Sequence, residues 1–192
     1  MNGSVREPAV FIYGALRSGT TLLRLMLDHH PGLSNPGEAD FLLDRLRSDP
    51  AQPSGWRFDR MGIEDDRIFW AKGLSLPQED DGRAVLIALC DQLRARDPGL
   101  LTLNVHRHAD RLVAIWPEVL VVDLVRDPRD VARSAIGMGW AGTLYHGVAS
   151  WAGTETEWEA AALPEAQTFT LSYEALCRET ESTLIALCEF LG

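Results

Sequence analysis

Lysine is nearly missing from this chain. It occurs once, at Lys72, and every other permanently cationic side chain is an arginine. Acids outnumber these bases 28 to 18, for a net charge of −10. A general nucleic-acid surface is excluded on that balance, since phosphate backbones are met by basic faces. No apolar run approaches the roughly 18 residues that a spanning helix needs, so no membrane span is predicted. Met1 to Pro8 is polar, and no signal peptide is expected. Cysteine is limited to Cys90, Cys177 and Cys188. Three thiols, odd in number, far apart and set among apolar residues, predict reduced core positions in a cytoplasmic protein. No histidine or cysteine spacing suggests a metal site, and there are no repeats or low-complexity segments.

What is present alternates between strand and helix patterns. Val10–Tyr13 reads as a buried strand, and Thr20 to His30 as a helix stopped by Pro31-Gly32. Phe41, Leu42, Leu43 and Leu46 recur at helical spacing. Residues 48–62 are rich in Pro, Gly, Asp and Arg and read as a loop, and 63–77 match no single pattern. Leu86 to Arg96 reads as an amphipathic helix, Leu100 to Val105 as a strand and Ala109 to Trp116 as a short helix. Val119 to Val125 is nearly all apolar, which predicts the central strand, covered on both faces. Helices follow from Pro128 to about Ile136 and over 144–161. Thr168 to Ser172 is a strand, and Glu174 to Leu191 a final helix. The alternation predicts an α/β fold in three layers, a P-loop-type parallel sheet flanked by helices on both faces. At 192 residues, one domain over 1–192 accommodates it.

Two segments carry chemistry. The first runs Gly14-Ala15-Leu16-Arg17-Ser18-Gly19-Thr20-Thr21, between the first strand and the first helix. Gly14 and Gly19 stand at the spacing of a nucleotide phosphate loop, but Thr20 replaces the lysine that such a loop uses on β- and γ-phosphates. The cation sits inside the loop instead, at Arg17. Glycines that let backbone N–H groups converge, the positive end of a helix, a guanidinium fork and threonine hydroxyls together make an oxyanion site. The second segment is Arg126-Asp127-Pro128-Arg129-Asp130, after the strongest strand. Ligands of open α/β sheets bind beyond the carboxyl ends of strands. Arg126 stands at such an end, and Ser134 lies about two turns along the next helix, so both can face one anion.

Together the two segments resemble those of sulfotransferases that use 3′-phosphoadenosine 5′-phosphosulfate (PAPS), the tyrosylprotein-type and bacterial branch above all. Further matching stretches are Leu27-Asp28-His29-His30-Pro31, Gly37-Glu38, Ser172-Tyr173-Glu174-Ala175-Leu176 and the ending Leu187 to Gly192. The resemblance implies that Gly14, Arg17, Ser18, Gly19, Thr20 and Thr21 hold the 5′-phosphosulfate. Arg126 and Ser134 would hold the 3′-phosphate, with Tyr173 nearby. It implies adenosine 3′,5′-bisphosphate as the product, no metal, and an acceptor hydroxyl on a small molecule, sugar, lipid or peptide. Glu38 matches the glutamate that acts as general base, with Arg17 beside it; His106 and His108 are the competing bases. Trp56, Trp70, Trp140 and Tyr145 are candidate acceptor walls.

The chain departs from that pattern in three ways. Asn104 stands where the family has a lysine, Leu16 replaces a proline, and the family's C-terminal segment beyond Gly192 is missing from the sequence. Two other readings follow from the same residues. One is a P-loop kinase or NTPase, against which stand Thr20 and the lack of a clear Mg²⁺ acid, Asp123 falling inside a strand and Asp127 being the weak candidate. The other is a nucleotide-binding protein of the same fold with impaired catalysis.

Overall fold

The computed structural model describes residues 9–192, so the polar stretch at Met1–Pro8 lies outside the described residues. The chain runs β1 (Val10–Tyr13), α1 (Thr20–Asp28), β2 (Leu33–Ser34), α2 (Asp40–Asp44), β3 (Leu46–Ser48), β4 (Trp56–Phe58), α3 (Arg67–Ala71) and α4 (Gly82–Arg94). It continues with β5 (Leu100–Val105), α5 (Ala109–Ile115), β6 (Val121–Val125), α6 (Pro128–Gly137), α7 (Leu144–Ala161), β7 (Thr168–Ser172), α8 (Tyr173–Arg178) and α9 (Thr180–Leu191). The main sheet is parallel throughout, in the order β2-β5-β1-β6-β7.

Side chains of a strand alternate between faces, and β1 shows why the sheet needs covering on both sides. Phe11 and Tyr13 enter one core with Leu103, Val105, Leu86 and Trp116. Val10 and Ile12 enter the other with Leu23 and Leu27 of α1 and Leu187 of α9. The predicted α/β layering is therefore the observed one. The middle strand is β1 rather than the 119–125 segment; β6 lies beside it and is still buried over Val121 to Leu124. Crossovers leave β1 toward β2 and β5 on one side and toward β6 and β7 on the other. The carboxyl end of β1 is thus the switch point where such folds bind ligands.

Local chemistry sets the helix starts. Asp81 accepts from the Ala84 N–H at 3.0 Å, so α4 begins before Leu86. Asp127 accepts from the Arg129 N–H at 2.9 Å, with Pro128 in the first turn of α6. Ser172 accepts from the Ala175 N–H at 3.2 Å and starts α8. Three expectations need correction. Residues 48–62 are not all loop, because β3 and β4 pair as an antiparallel hairpin. The final helix is broken at Glu179, whose backbone (φ −128°, ψ 46°) leaves the helical region between α8 and α9. Of the three cysteines only Cys90 is buried in the core; Cys177 is exposed and Cys188 half-buried. No helix of the described residues is long and apolar enough to cross a membrane.

One acidic pair lies between α7 and the sheet. Asp123 of β6 takes a hydrogen bond from the Thr170 hydroxyl at 3.4 Å. Burial raises its carboxyl to about 6 despite bonds from Thr170 and Trp158. Burial, with repulsion from Asp123 and Glu159, raises Glu155 of α7 to about 7. Both acids titrate near 4 in an unfolded chain. The native state therefore keeps protons that the unfolded chain has lost between about pH 4 and pH 7. The contribution of the pair to stability is complete below about pH 4 and is lost as pH rises through 6 to 7. Urea melts across that range should show stability declining with pH, and Asp123→Asn should flatten the decline.

Candidate active site

The loop between β1 and α1 is shaped by what it touches. A Cβ on Gly14 would stand 2.5 Å from the Leu124 carbonyl oxygen of β6. Gly19 has φ 104° and lies against the Tyr173 ring of α8. Both positions exclude a side chain, and the second also needs a backbone that only glycine adopts freely. Arg17 itself is left-handed, with φ 77°. A non-glycine residue held there implies that neighbours over-determine it, and they are identifiable. Arg126 Nη1 donates to the Arg17 carbonyl at 3.0 Å, and Arg17 Nε donates to the Ser134 hydroxyl at 2.9 Å. The Arg17 guanidinium lies 5.4 Å from the Trp140 ring centroid, and that of Arg126 lies 4.2 Å from the Tyr173 ring. Two segments more than a hundred residues apart are thereby fastened to each other.

They open on a cavity of about 360 Å³. Arg17, Gly19, Thr20, Thr21 and Arg126 line it, as do Glu38, His106, Tyr173 and Trp140. Gly14 and the buried Ser18 do not line it, and Ser134 meets the site through Arg17. The Arg126 Nε and the buried Ser18 hydroxyl have no hydrogen-bond partner among the described residues. Buried polar groups are normally satisfied, so Arg126 brings unspent donor capacity to the cavity wall.

Glu38 reaches the cavity by a backbone device. The Asn104 N–H donates to the Gly37 carbonyl at 3.2 Å, and the Ala39 N–H to the Asn104 carbonyl at 2.8 Å. Residues 37–39 thus extend the sheet edge beside β5, with Glu38 in a parallel bridge to Asn104. Its side chain is exposed and precedes α2, which starts only at Asp40. Asn104 itself is buried, accepts from Asn35 Nδ2 at 3.2 Å and donates to the Thr20 carbonyl at 3.4 Å. It holds the first turn of α1.

The histidines separate. His106 is 4% exposed and lines the cavity. Asp40 binds it twice, accepting from its backbone N–H at 2.7 Å and meeting its Nδ1 at 2.9 Å. Burial alone would raise the Asp40 carboxyl. The His106 bonds and charge, with Arg107 at 3.8 Å, outweigh that and hold it below the usual range. In the neutral ring, an ionised Asp40 holds the proton on Nδ1, and Nε2, 3.4 Å from the Thr20 hydroxyl, is then the acceptor. Sequence reading missed Asp40, whose partner lies 66 positions away. His108 lies elsewhere, with Nε2 3.2 Å from Asp44. It shares with Asp110 and Glu157 a group of ligand-type atoms within 4.8 Å of one another, but Glu157 already accepts the Ala109 N–H at 2.7 Å. Of the candidate walls, Trp140 lines the cavity, Tyr145 is 78% exposed, and Trp70 donates to the Glu64 carbonyl. Asp123 pairs with Thr170 and Asp127 caps α6, so neither acid lines this cavity.

Nitrogen-15 NMR should find the neutral His106 ring in the Nδ1–H tautomer. Asp40→Asn should lose that tautomer and lower stability by about 1–3 kcal/mol in urea melts.

A family model described as "Sulfotransferase family" matches residues 8–192. A Caenorhabditis briggsae protein called "Putative protein-tyrosine sulfotransferase" is 29% identical over 142 residues, which is 68% of this chain and 43% of that protein; the chain thus spans less than half of that relative. Among solved structures, the sulfotransferase domain from the curacin biosynthetic pathway superposes with a TM-score of 0.63 at 22% identity, covering 97% of this chain and 74% of the other. The sulfotransferase from Alicyclobacillus acidocaldarius gives 0.59 at 17% over 98% and 82%. Mouse sulfotransferase SULT7A1 complexed with PAP gives 0.56 at 14% over 97% and 59%. At these identities the structures speak for the fold alone. With a family model matched along nearly its whole length, the chain belongs to the sulfotransferase family.

Proposed function

We propose that the protein transfers a sulfuryl group from PAPS to an acceptor hydroxyl, with Glu38 as general base. The observation that carries this reading is the junction of the two anion motifs, Arg126 on the loop carbonyl and Arg17 on Ser134, at one cavity that Glu38 also lines. The residues fit the donor's two anionic ends. Loop N–H groups, Arg17, Thr20 and Thr21 suit the 5′-phosphosulfate. Arg126, with its unpaired Nε, and Ser134 suit the 3′-phosphate, and Tyr173 supports Arg126. The PAP bound in the mouse relative, adenosine 3′,5′-bisphosphate, is the product such a reaction leaves.

In the proposed step Glu38 takes the acceptor's hydroxyl proton. The acceptor oxygen bonds to sulfur as the bond from sulfur to the bridging oxygen breaks. The electron pair goes to the 5′-phosphate, whose growing charge Arg17 and the loop N–H groups neutralise. Asn104 cannot replace the family lysine in that role while its amide donates to the Thr20 carbonyl, so Arg17 is the principal cation there. The acceptor is a hydroxyl on a small molecule, sugar, lipid or peptide. The free thiols accord with a cytoplasmic setting.

A second reading assigns the base to His106. The Asp40 bond at Nδ1 favours it, because it leaves the Nε2 lone pair at the cavity.

The two separate by mutation. Arg126→Ala should weaken adenosine 3′,5′-bisphosphate about tenfold or more, as expected for losing charge-assisted bonds. Glu38→Gln should leave bisphosphate affinity unchanged and slow transfer from PAPS by ~10²–10⁴. Normal turnover in Glu38→Gln, with loss in His106→Gln, would move the base to His106. A variant of Arg126 that binds the bisphosphate like the parent would remove the 3′-phosphate assignment.

A further inference from the structure

Glu38 faces two cavities. Beyond the phosphate cavity, and sharing Thr21 and Glu38 with it, lies a second cavity of about 540 Å³. Arg24 of α1, Arg67 of α3 and Lys72 at the end of α3 line it, and Glu38 is the one acid among the lining residues. In a chain with ten more acids than bases this is a local reversal of charge. Two of the three cations have no hydrogen-bonding or ionic partner among the described residues. Neither Arg24 nor Arg67 forms a hydrogen bond or ion pair with any described residue, whereas surface arginines such as Arg47, Arg60 and Arg107 pair with aspartates. Lys72, the chain's single lysine, donates to the Pro36 carbonyl at 2.6 Å and lies half-buried. The Arg24 side chain packs beside Gly37, next to Glu38.

We propose that this second cavity holds an acidic group of the acceptor, so that the substrate is a small molecule bearing both a hydroxyl and an oxyanion, carboxylate or phosphate. The assignment of the occupant as acceptor rests on the sulfuryl-transfer reading of the adjoining cavity. The cavity is of the size that takes a small ligand. Two guanidinium forks without partners among the described residues match an oxyanion in bidentate fashion. Glu38 repels the acid end, which turns the neutral hydroxyl end toward the carboxylate and the phosphate cavity. Burial lowers the Lys72 ammonium to about 8, with Glu38 opposing and Arg24 adding to the effect; an anion bound beside it would offset that loss.

The test uses the whole chain with benzoate, phenyl phosphate and benzamide as probes, titrated calorimetrically with and without saturating adenosine 3′,5′-bisphosphate. Benzoate or phenyl phosphate should bind, neutral benzamide should not, and added salt should weaken the binding. The double variant Arg24→Ala, Arg67→Ala should lose about tenfold or more in anion affinity with the bisphosphate affinity unchanged. Arg67→Glu, a reversal at an exposed position, should do the same by itself. Binding that is equal for benzoate and benzamide, or unaltered in both variants, would overturn the proposal. Anion binding that depends on Arg24 and Arg67 in a protein that ignores the bisphosphate would instead remove the sulfuryl-transfer reading and leave an anion cavity.

Discussion

The loop between β1 and α1 has no space for a methyl group at either end, and the arrangement of the site depends on that. Gly14 is closed off by the backbone of β6 and Gly19 by the Tyr173 ring of α8. Strand, loop and two later segments are therefore in van der Waals contact before any ligand is considered. Such contact lets Arg126 reach a loop carbonyl and lets Arg17, held left-handed, reach Ser134. A bulkier residue at Gly19 would have to displace Tyr173, and Arg126 would lose the ring it lies on. The fold serves the site by making one short loop the meeting point of β1, β6, α6 and α8.

The catalytic proposal places charge on the opposite wall. Residues 37–39 bond along β5 as a strand would, without belonging to one, and this brings Glu38 in front of the loop. Asn104 fixes both sides of the gap, through its backbone to residues 37–39 and through its amide to Thr20. That double use gives the neutral Asn104 a structural role at the position where the resemblance implied a lysine. Two residues further, Asp40 is turned inward to His106, so one short segment supplies a free carboxylate and a buried, bonded one. The same segment walls the cationic cavity formed by Arg24, Arg67 and Lys72.

Much of this was legible in the sequence, and the reasons differ by element. The limits of β1, β5, α7 and β7 follow from short apolar runs and from cap residues that act within three or four positions. The proposal that the loop holds an oxyanion comes from the glycine spacing and Arg17. Strand order is not legible in this way, because it depends on pairings between distant segments; the 119–125 run is nearly all apolar, yet β1 lies in the middle. The hairpin of β3 and β4 was hidden by polar, turn-rich composition, and β2 by its length of two residues. Asp40 carried no local sign of its role, since its partner is in another crossover. Arg24 lies far in sequence from Arg67 and Lys72, and the three become a cluster only because α1 and α3 line one cavity.

The central claim, that this cavity is built for a 3′-phosphorylated adenylate, is tested most directly by thermal unfolding of the unmodified chain in adenosine 3′,5′-bisphosphate, set against ADP and ATP with and without Mg²⁺. A ligand at 100 times its dissociation constant stabilises by about 2.7 kcal/mol, which shifts the midpoint visibly. The account predicts a shift with the bisphosphate, independent of Mg²⁺ and larger than with ADP. A shift that requires ATP with Mg²⁺, or none with the bisphosphate, would contradict it.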